Sequence, residues 1–112
     1  MARGIAINPR RGEIWQCRFK PPDKRRPVVV LTRSEVLPLI RTAMVAPITS
    51  TIRGIPSEVL VGVDEGLKRP SAVNLDHVQT VEQAQLSAYI GSLDSERVLA
   101  VCSALAIATG CE

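Results

Sequence analysis

The stretch "DKRRPVVVLT", residues 23–32, runs from charged residues through a proline into an unbroken apolar segment. A run of β-branched residues without alternation is typical of a strand covered on both faces, so residues 28–31 predict a central strand. Pro27 has a fixed φ and sets the direction in which the chain enters that strand. Arg25 and Arg26 are therefore expected directly before the most buried strand of the protein.

Length and composition predict a single domain over residues 1–112, with a core of Val, Ile, Leu and Ala. The chain is 46% apolar but only 3% aromatic, and 112 residues suffice for one core without disulfides. No segment reaches the ~18 apolar residues of a membrane span, and the N-terminus lacks the apolar region of a signal peptide. Three cysteines without C-x-x-C spacing and a single histidine argue against a structural zinc site. We therefore expect a reduced, cytoplasmic protein without metal or cofactor.

The charge is distributed unevenly along the chain. Residues 1–53 hold eleven basic and three acidic residues, a net charge of +8, whereas residues 54–112 hold three basic and eight acidic residues, a net charge of −5. Such asymmetry favours an anionic partner for the first half. A basic surface with no partner is the alternative at this point.

Residues 1–9 are expected to form an N-terminal arm, and two strand predictions follow from local patterns. Alternation in "GEIWQCRF", residues 12–19, predicts a first strand with Trp15, Cys17 and Phe19 inward. The segment "RTAMVAPITS", residues 41–50, predicts a third strand. Because proline cannot donate to a ladder, Pro47 predicts that this strand lies at an edge or carries a bulge.

Three further strands and a terminal helix complete the predicted order. The fourth strand, "SEVLVGV", is expected to place Val59, Val61 and Val63 on one face; "AVNLDHVQTVE" is the fifth and "QLSAYIGSL" leads through a sixth. The helix is predicted over residues 93–109, capped by Ser92 or Asp94 and ended by Gly110. These elements predict a small, strongly curved sheet or barrel with one helix against it. The predicted apolar stripe of the helix comprises Val98, Leu99, Val101, Cys102, Leu105 and Ala106.

Polar residues collect at the predicted strand ends. Arg26 precedes the second strand and Thr49 closes the third. A guanidinium beside a hydroxyl suits phosphate chemistry, because its fork binds two phosphate oxygens and stays charged. Arg26 could equally anchor a carboxylate, and Thr49 could be an ordinary turn-capping hydroxyl. Asn74, Asp76 and His77 of the fifth strand could likewise be structural.

Several stretches in order resemble the MazF/PemK family of toxin ribonucleases: "RRGEIWQCRF", "RRPVVVLT", "MVAPITSTI", "EVLVG", "SAVNLDHVQTVE" and "LSAYIGSLDSERV", covering about residues 10 to 107. The resemblance implies an SH3-like small β-barrel of the CcdB/PemK type with a C-terminal helix. It implies a homodimeric toxin of a toxin–antitoxin module that cuts single-stranded RNA without metal. The expected products carry 2′,3′-cyclic phosphate and 5′-OH ends, and a cognate antitoxin would cover the RNA groove.

The resemblance also assigns roles to residues. It makes Arg26 and Thr49 catalytic and matches Asp76 to a supporting carboxylate. His77 stands where the family has glutamine, and we treat it as a candidate general base whose replacement by alanine should leave most activity. The residues expected to contact RNA are Lys20, Lys24, Arg25, Ser50, Arg53 and Asn74.

Two alternatives stay open on the sequence. A gyrase poison of the CcdB type would share the barrel, but it relies on a C-terminal tip with aromatic and aliphatic residues, and this chain ends "IATGCE". A relative that binds RNA or antitoxin without cutting is the other alternative. The loop between the first two strands, "KPPDK", is shorter than in many family members, so the sequence does not predict which RNA sequence is cut.

Overall fold

The computed structural model describes residues 8–21 and 24–111, which form one antiparallel β-system and one α-helix. Most of the N-terminal arm, residues 1–7, lies outside the described residues. The strands are β1 Glu13–Arg18, β2 Arg25–Val30, β3 Thr42–Thr49, β4 Glu58–Val61, β5 Ser71–Asn74, β6 Gln79–Glu82 and β7 Leu86–Ser92; the helix is α1 Ser95–Thr109.

The strands pair in the order β4-β5-β3-β2-β1-β7, and β6 pairs with β3 as a branch. The mainly β architecture with one C-terminal helix is confirmed. The ladders leave β4 and β7 at the two ends of this order, and closure of the sheet into a barrel stays a prediction. Among the described residues, no helix is both long and apolar enough to cross a membrane.

The valine run of β2 is buried on both faces, as predicted. Val29 packs in one core cluster, together with Ile14 and Val101 of α1. Val28 and Val30 pack in a second cluster on the opposite face, with Trp15 and Phe19 partly buried against it. The first strand is therefore also covered on both faces, which its alternating pattern did not predict.

Strand β3 lies in the interior of the sheet, so the predicted edge position is wrong. It pairs with β2 on one side. On the other side, residues 42–45 pair with β6 and residues 48–49 with β5. Pro47 falls in the interval where β3 changes neighbours, and a residue that cannot donate is tolerated there.

Three other local predictions are corrected. Val63 is 70% exposed, because β4 ends at Val61 and the chain turns through a 3-10 segment, Val63–Glu65. The predicted fifth strand is two strands separated by the 3-10 turn Leu75–His77. Leu99 is 67% exposed, whereas Val101 and Ala104 form the buried side of α1. Asp94 and Gly110 cap the helix, as predicted.

Cys17 is fully buried in the second core cluster, and burial raises the pKa of its thiol from 9.0 to about 11, against a smaller lowering by Arg18. Because the thiolate is the nucleophile, we expect iodoacetamide at pH 8 to label the exposed Cys111 but not Cys17 in the native protein. Peptide mass spectrometry of the labelled protein measures the labelling of each cysteine, and equal labelling of both would contradict this expectation.

The raised pKa of Cys17 also makes the free energy of unfolding depend on pH. Its contribution is fully present below pH 9 and is lost as the pH rises through about 11.

Candidate active site

A groove of about 650 Å³ crosses one face of the sheet. Its floor and first wall come from β1, β2, the end of β3 and β7, and its second wall comes from the loop between β4 and β5. Among the described residues, none that lines the groove is acidic. The lining comprises Gln16, Arg25, Arg26, Pro27, Ile48, Thr49, Ser50, Gly66, Leu67, Lys68, Arg69, Ser71, Ser87, Ala88 and Ile90.

Arg25 and Arg26 lie inside β2 rather than before it, which corrects the predicted loop position. Arg25 pairs with Arg18 and Arg26 with Cys17 on β1. Both arginines are exposed, whereas the same strand is fully buried from Val28 onward. A buried strand that emerges at the groove gives the two guanidinium groups a rigid base.

Arg26 and Thr49 belong to neighbouring strands and line the same groove. The ladder between β2 and β3 includes the pair Val28 and Pro47, and Arg26 and Thr49 each lie two residues beyond that pair. A guanidinium and a hydroxyl thus line one groove in which none of the described lining residues is acidic.

The Thr49 hydroxyl has a structural partner. Its Oγ1 accepts a hydrogen bond from the backbone N–H of Thr51 at 3.1 Å, which is the turn-capping role considered above. A hydroxyl that accepts through one lone pair still carries a proton to donate. The half-buried Thr49 side chain can therefore cap the turn and bind an anion in the groove at the same time.

Asp76 and His77 are not among the groove-lining residues. They belong to the 3-10 turn after β5, where the Ser57 hydroxyl donates to Asp76 Oδ2 at 2.6 Å. Asn74 caps this turn, since its Oδ1 accepts from the Asp76 N–H at 3.0 Å. The hydrogen bonds of Asn74 and Asp76 thus have the form of a structural turn, and the fold does not bring this group to Arg26.

The other basic residues expected to contact RNA also lie outside the groove lining. Lys24 adopts a left-handed conformation with φ 56°, and its carbonyl accepts from the Phe19 N–H in the turn before β2. The backbone N–H of Arg53 donates to Glu58 Oε1 at 3.0 Å, which fixes the loop after β3. Lys20, Lys24 and Arg53 are exposed, while Arg25 and Ser50 are the two members of the predicted set in the lining.

The second wall carries two cations that the sequence analysis missed. Lys68 and Arg69 lie on the groove side of the β4–β5 loop. They supply two of the three basic residues in the acidic second half of the chain. The signal was present, because Lys68-Arg69-Pro70 repeats the order of basic residues and proline seen at Arg26-Pro27.

Two glycines set this loop against β7. A Cβ at Gly91 would lie 2.1 Å from the backbone oxygen of Glu65, and one at Gly66 would lie 2.6 Å from that of Ile90. Gly66 also has φ 97°, a conformation that favours glycine. The buried Glu65 is held by the Gly62 N–H at 2.6 Å and by Arg97 at 3.5 Å. The loop is thus packed directly on the strand, which holds Lys68 and Arg69 across from Arg25 and Arg26.

The groove lining therefore includes four cations and four hydroxyl-bearing residues, with Thr49 and Ser50 near Arg25 and Arg26 at the end of β3. Cationic walls of this kind attract a polyanion and concentrate it at the site. Guanidinium groups aimed at one position also stabilise charge that develops on a phosphorus centre. The arrangement can bind a phosphodiester chain and act on one of its links.

Comparison with known proteins also indicates a nuclease. Residues 10–109 match the family described as PemK-like, MazF-like toxin of type II toxin–antitoxin system. The chain is 48% identical over 105 residues to the probable endoribonuclease MazF5 of Mycobacterium tuberculosis, covering 92% of this chain and 94% of that protein. Its structure superposes on the Mycobacterium tuberculosis toxin MazF-mt6 with a TM-score of 0.83 and 37% identity, covering 89% and 98% of the two chains.

A second structural relative supports the fold alone, because its sequence identity is only 24%. It is an endoribonuclease in complex with its cognate antitoxin from a mycobacterial species, with a TM-score of 0.82 and coverage of 93% of this chain and 97% of that one. The match to the family model extends over nearly the whole chain, and the 48% identity extends over nearly the whole relative. This chain therefore belongs to the MazF/PemK family of type II toxin endoribonucleases.

Proposed function

We propose that the groove cuts single-stranded RNA by attack of the RNA's own 2′-hydroxyl, without a metal ion. The observation that carries the proposal is the presence of Arg26 and Thr49 in the lining of one groove, none of whose described lining residues is acidic. The nucleophile comes with the substrate, so the protein needs only to orient it, stabilise charge and move protons. This is chemistry that a guanidinium and a hydroxyl can support.

The reaction balances as a transesterification. The 2′-oxygen forms a bond to the adjacent phosphorus and loses its proton, while the bond from phosphorus to the 5′-oxygen breaks and that oxygen gains a proton. Arg26 binds the non-bridging oxygens, whose charge increases in the phosphorane, and can deliver a proton toward the leaving oxygen. Thr49 donates a hydrogen bond to the scissile phosphate or holds the 2′-hydroxyl. The products are a 2′,3′-cyclic phosphate and a 5′-hydroxyl.

The two walls suggest the path of the RNA backbone. Arg25 and Arg26 stand on one side, and Lys68 and Arg69 stand on the other. A strand in the groove can place one phosphate at the catalytic wall and a neighbouring phosphate at the second wall. The second wall would then contribute binding and leave the bond-breaking step to Arg26 and Thr49.

We expect the double variant Lys68→Ala/Arg69→Ala to raise KM for a short RNA about tenfold while kcat changes little. Two lost phosphate contacts should also reduce the slope of log binding constant against log salt by about 1.4, because each contact to single-stranded nucleic acid contributes about 0.7. Fluorescence anisotropy from low to moderate salt measures the slope. Arg33→Ala/Arg41→Ala removes the same charge from exposed positions outside the groove lining and serves as the control. If both double variants changed KM and the salt slope equally, the effect would come from the net charge of the protein, and specific phosphate contacts by Lys68 and Arg69 would be contradicted.

A cognate antitoxin and a second copy of the chain are the proposed protein partners. An acidic antitoxin segment suits a groove with four cations, and it would compete with RNA for the same walls. The homodimer remains a proposal from family membership. The proposed place of action is the cytoplasm, where the RNA substrate is.

The chemistry is tested with one short RNA that is cut and with the same RNA carrying a 2′-deoxy sugar at the cleavage position. With EDTA present, we expect cleavage of the all-ribose strand and none of the substituted strand. The upstream product should end in a cyclic phosphate by mass spectrometry. Cleavage of the deoxy-substituted strand, or a 5′-phosphate on the downstream product, would contradict attack by the 2′-hydroxyl.

A further inference from the structure

Gln16 lines the groove from β1, the strand that lies between β2 and β7. It pairs with Pro27 of β2 on one side and with Ala88 of β7 on the other. Pro27 has no N–H, and neither proline nor alanine offers a side-chain donor. The Oε1 atom of Gln16 is buried and has no hydrogen-bond partner among the described residues.

An unpartnered buried acceptor reduces stability by the cost of removing it from water, about 1–3 kcal/mol in proteins generally. Such atoms are uncommon in native structures, and each calls for an explanation. Among the described residues, Glu58 Oε2 is also buried without a partner, but the other oxygen of that carboxylate accepts from two backbone N–H groups. Gln16 differs because its unpartnered acceptor belongs to a side chain that lines the groove.

The main chain at Gln16 is fixed on both sides. The Ser87 hydroxyl donates to the Gln16 carbonyl at 3.2 Å, and the register between β1 and β7 shifts directly after Gln16. Irregularities of this kind re-aim a side chain within an otherwise regular ladder. The backbone from which the Gln16 side chain enters the groove is therefore held in a defined place.

We propose that Gln16 reads the Watson–Crick edge of a nucleobase of the bound RNA, and that the base is one whose exocyclic amino group lies beside an unprotonated ring nitrogen on that edge, as in adenine and cytosine. The inference rests on the proposed ribonuclease function. On binding, the partly buried Gln16 side chain turns its amide toward the base, so that Oε1 accepts from the amino group of the base while the amide NH₂ donates to the ring nitrogen. The paired use of one donor and one acceptor is how a glutamine amide discriminates among bases.

The groove gives this pairing a consistent setting. Phosphates at the cationic walls leave the bases of a single strand free to turn toward the floor, and unpaired bases are read along their hydrogen-bonding edges. Uracil has no amino group and would bring carbonyl oxygens toward Oε1. Guanine has its amino group beside a protonated ring nitrogen on the same edge, so the amide NH₂ would meet another donor.

The test compares wild type with Gln16→Met, which keeps the length of the side chain and removes both hydrogen-bonding groups. Gln79→Met is the matched control, since Gln79 is exposed on β6 and outside the groove lining. Cleavage sites are mapped on a long unstructured RNA by sequencing product 5′ ends, and Tm is measured for all three proteins. We expect Gln16→Met to cut with a preference for adenine or cytosine reduced about tenfold to a hundredfold at one position. We expect its Tm to equal or exceed that of wild type, because the unpartnered acceptor is gone.

The possible outcomes distinguish a failure of base reading by Gln16 from a failure of the proposed ribonuclease function. If wild type cuts and Gln16→Met keeps the same site preference, base reading by Gln16 is wrong while the ribonuclease function stands. A lower Tm with unchanged preference identifies Gln16 as structural, and relaxation at a uracil or guanine position contradicts the proposed base class. If wild type cuts no RNA, the proposed function fails and base reading fails with it.

Discussion

Replacing Arg26 with alanine should lower kcat for RNA cleavage by at least about a hundredfold, because the loss of one preorganised donor to a developing charge commonly costs 10²–10³ in rate. The side chain is exposed at the groove from β2, so its truncation leaves the buried valines of that strand in place. We therefore expect a folded, inactive protein. Single-turnover cleavage of a fluorescent RNA, with Tm measured on the same sample, provides the readout.

Three comparison variants sharpen this result. Arg41→Ala removes an exposed arginine that pairs with Glu82 outside the groove lining, and it should retain activity. Arg26→Lys keeps the charge but loses the fork, so it should recover only a small part of the rate. His77→Ala should leave most activity, as expected from the sequence and in keeping with its place outside the groove lining. Near-normal cleavage by a folded Arg26→Ala protein would contradict the assignment of Arg26 as a catalytic residue.

Replacing Thr49 with valine should lower kcat about tenfold to a hundredfold, with a smaller change in KM. A hydrogen bond to a charged partner is worth about 1.5–3 kcal/mol, and valine keeps the branched shape while removing the hydroxyl. The same change also removes the bond to the Thr51 N–H, so a modest drop in Tm is expected. Initial rates measured over a range of RNA concentrations separate the effect on kcat from the effect on KM.

The two roles of this hydroxyl can be told apart. Thr49→Ser restores a hydroxyl and should recover most of the rate. Thr51→Val changes the exposed neighbour outside the groove lining and should leave kcat unchanged. If Thr49→Val lowers Tm but not kcat, Thr49 is only a turn cap and its catalytic assignment is wrong.

Features decided by local pattern were predictable from the sequence. The valine run of β2 has no polar alternation, and it is buried on both faces in the structure. Asp94 and Gly110 have the chemistry of helix caps and serve as such. Arg26 and Thr49 lie at the polar ends of apolar strands, and the antiparallel pairing of those strands brings both ends to one groove.

Features decided by the pairing of distant segments were not predictable in the same way. A sequence pattern marks Pro47 as unsuited to a ladder, but only the topology shows that β3 changes neighbours there. Val63 continues the alternation of β4, yet the chain turns after Val61, and Gly66 then approaches the backbone of β7 closely. Lys68 and Arg69 look like an ordinary basic turn until that approach places them on the groove.

Asp76 and His77 show how little residue type alone reveals about a site. Their residue types suit acid–base chemistry, the family resemblance matches Asp76 to a supporting carboxylate, and their roles in the reaction stay predictions. In the structure, Asp76 is engaged by Ser57 and Asn74 in a 3-10 turn, so its hydrogen bonds are those of a structural carboxylate. The position of a turn relative to a groove depends on tertiary packing, and residue type alone does not reveal it.

We propose that the groove bearing Arg26 and Thr49 is a metal-independent ribonuclease site. The most direct test is incubation of wild type and Arg26→Ala with a long, mostly unstructured RNA in EDTA, followed by mapping of product 5′ ends. We expect wild type to cut at a recurring short sequence and leave 5′-hydroxyl ends, and we expect no cuts by the variant. Identical cutting by both proteins, or no cutting by wild type under these conditions, would contradict it.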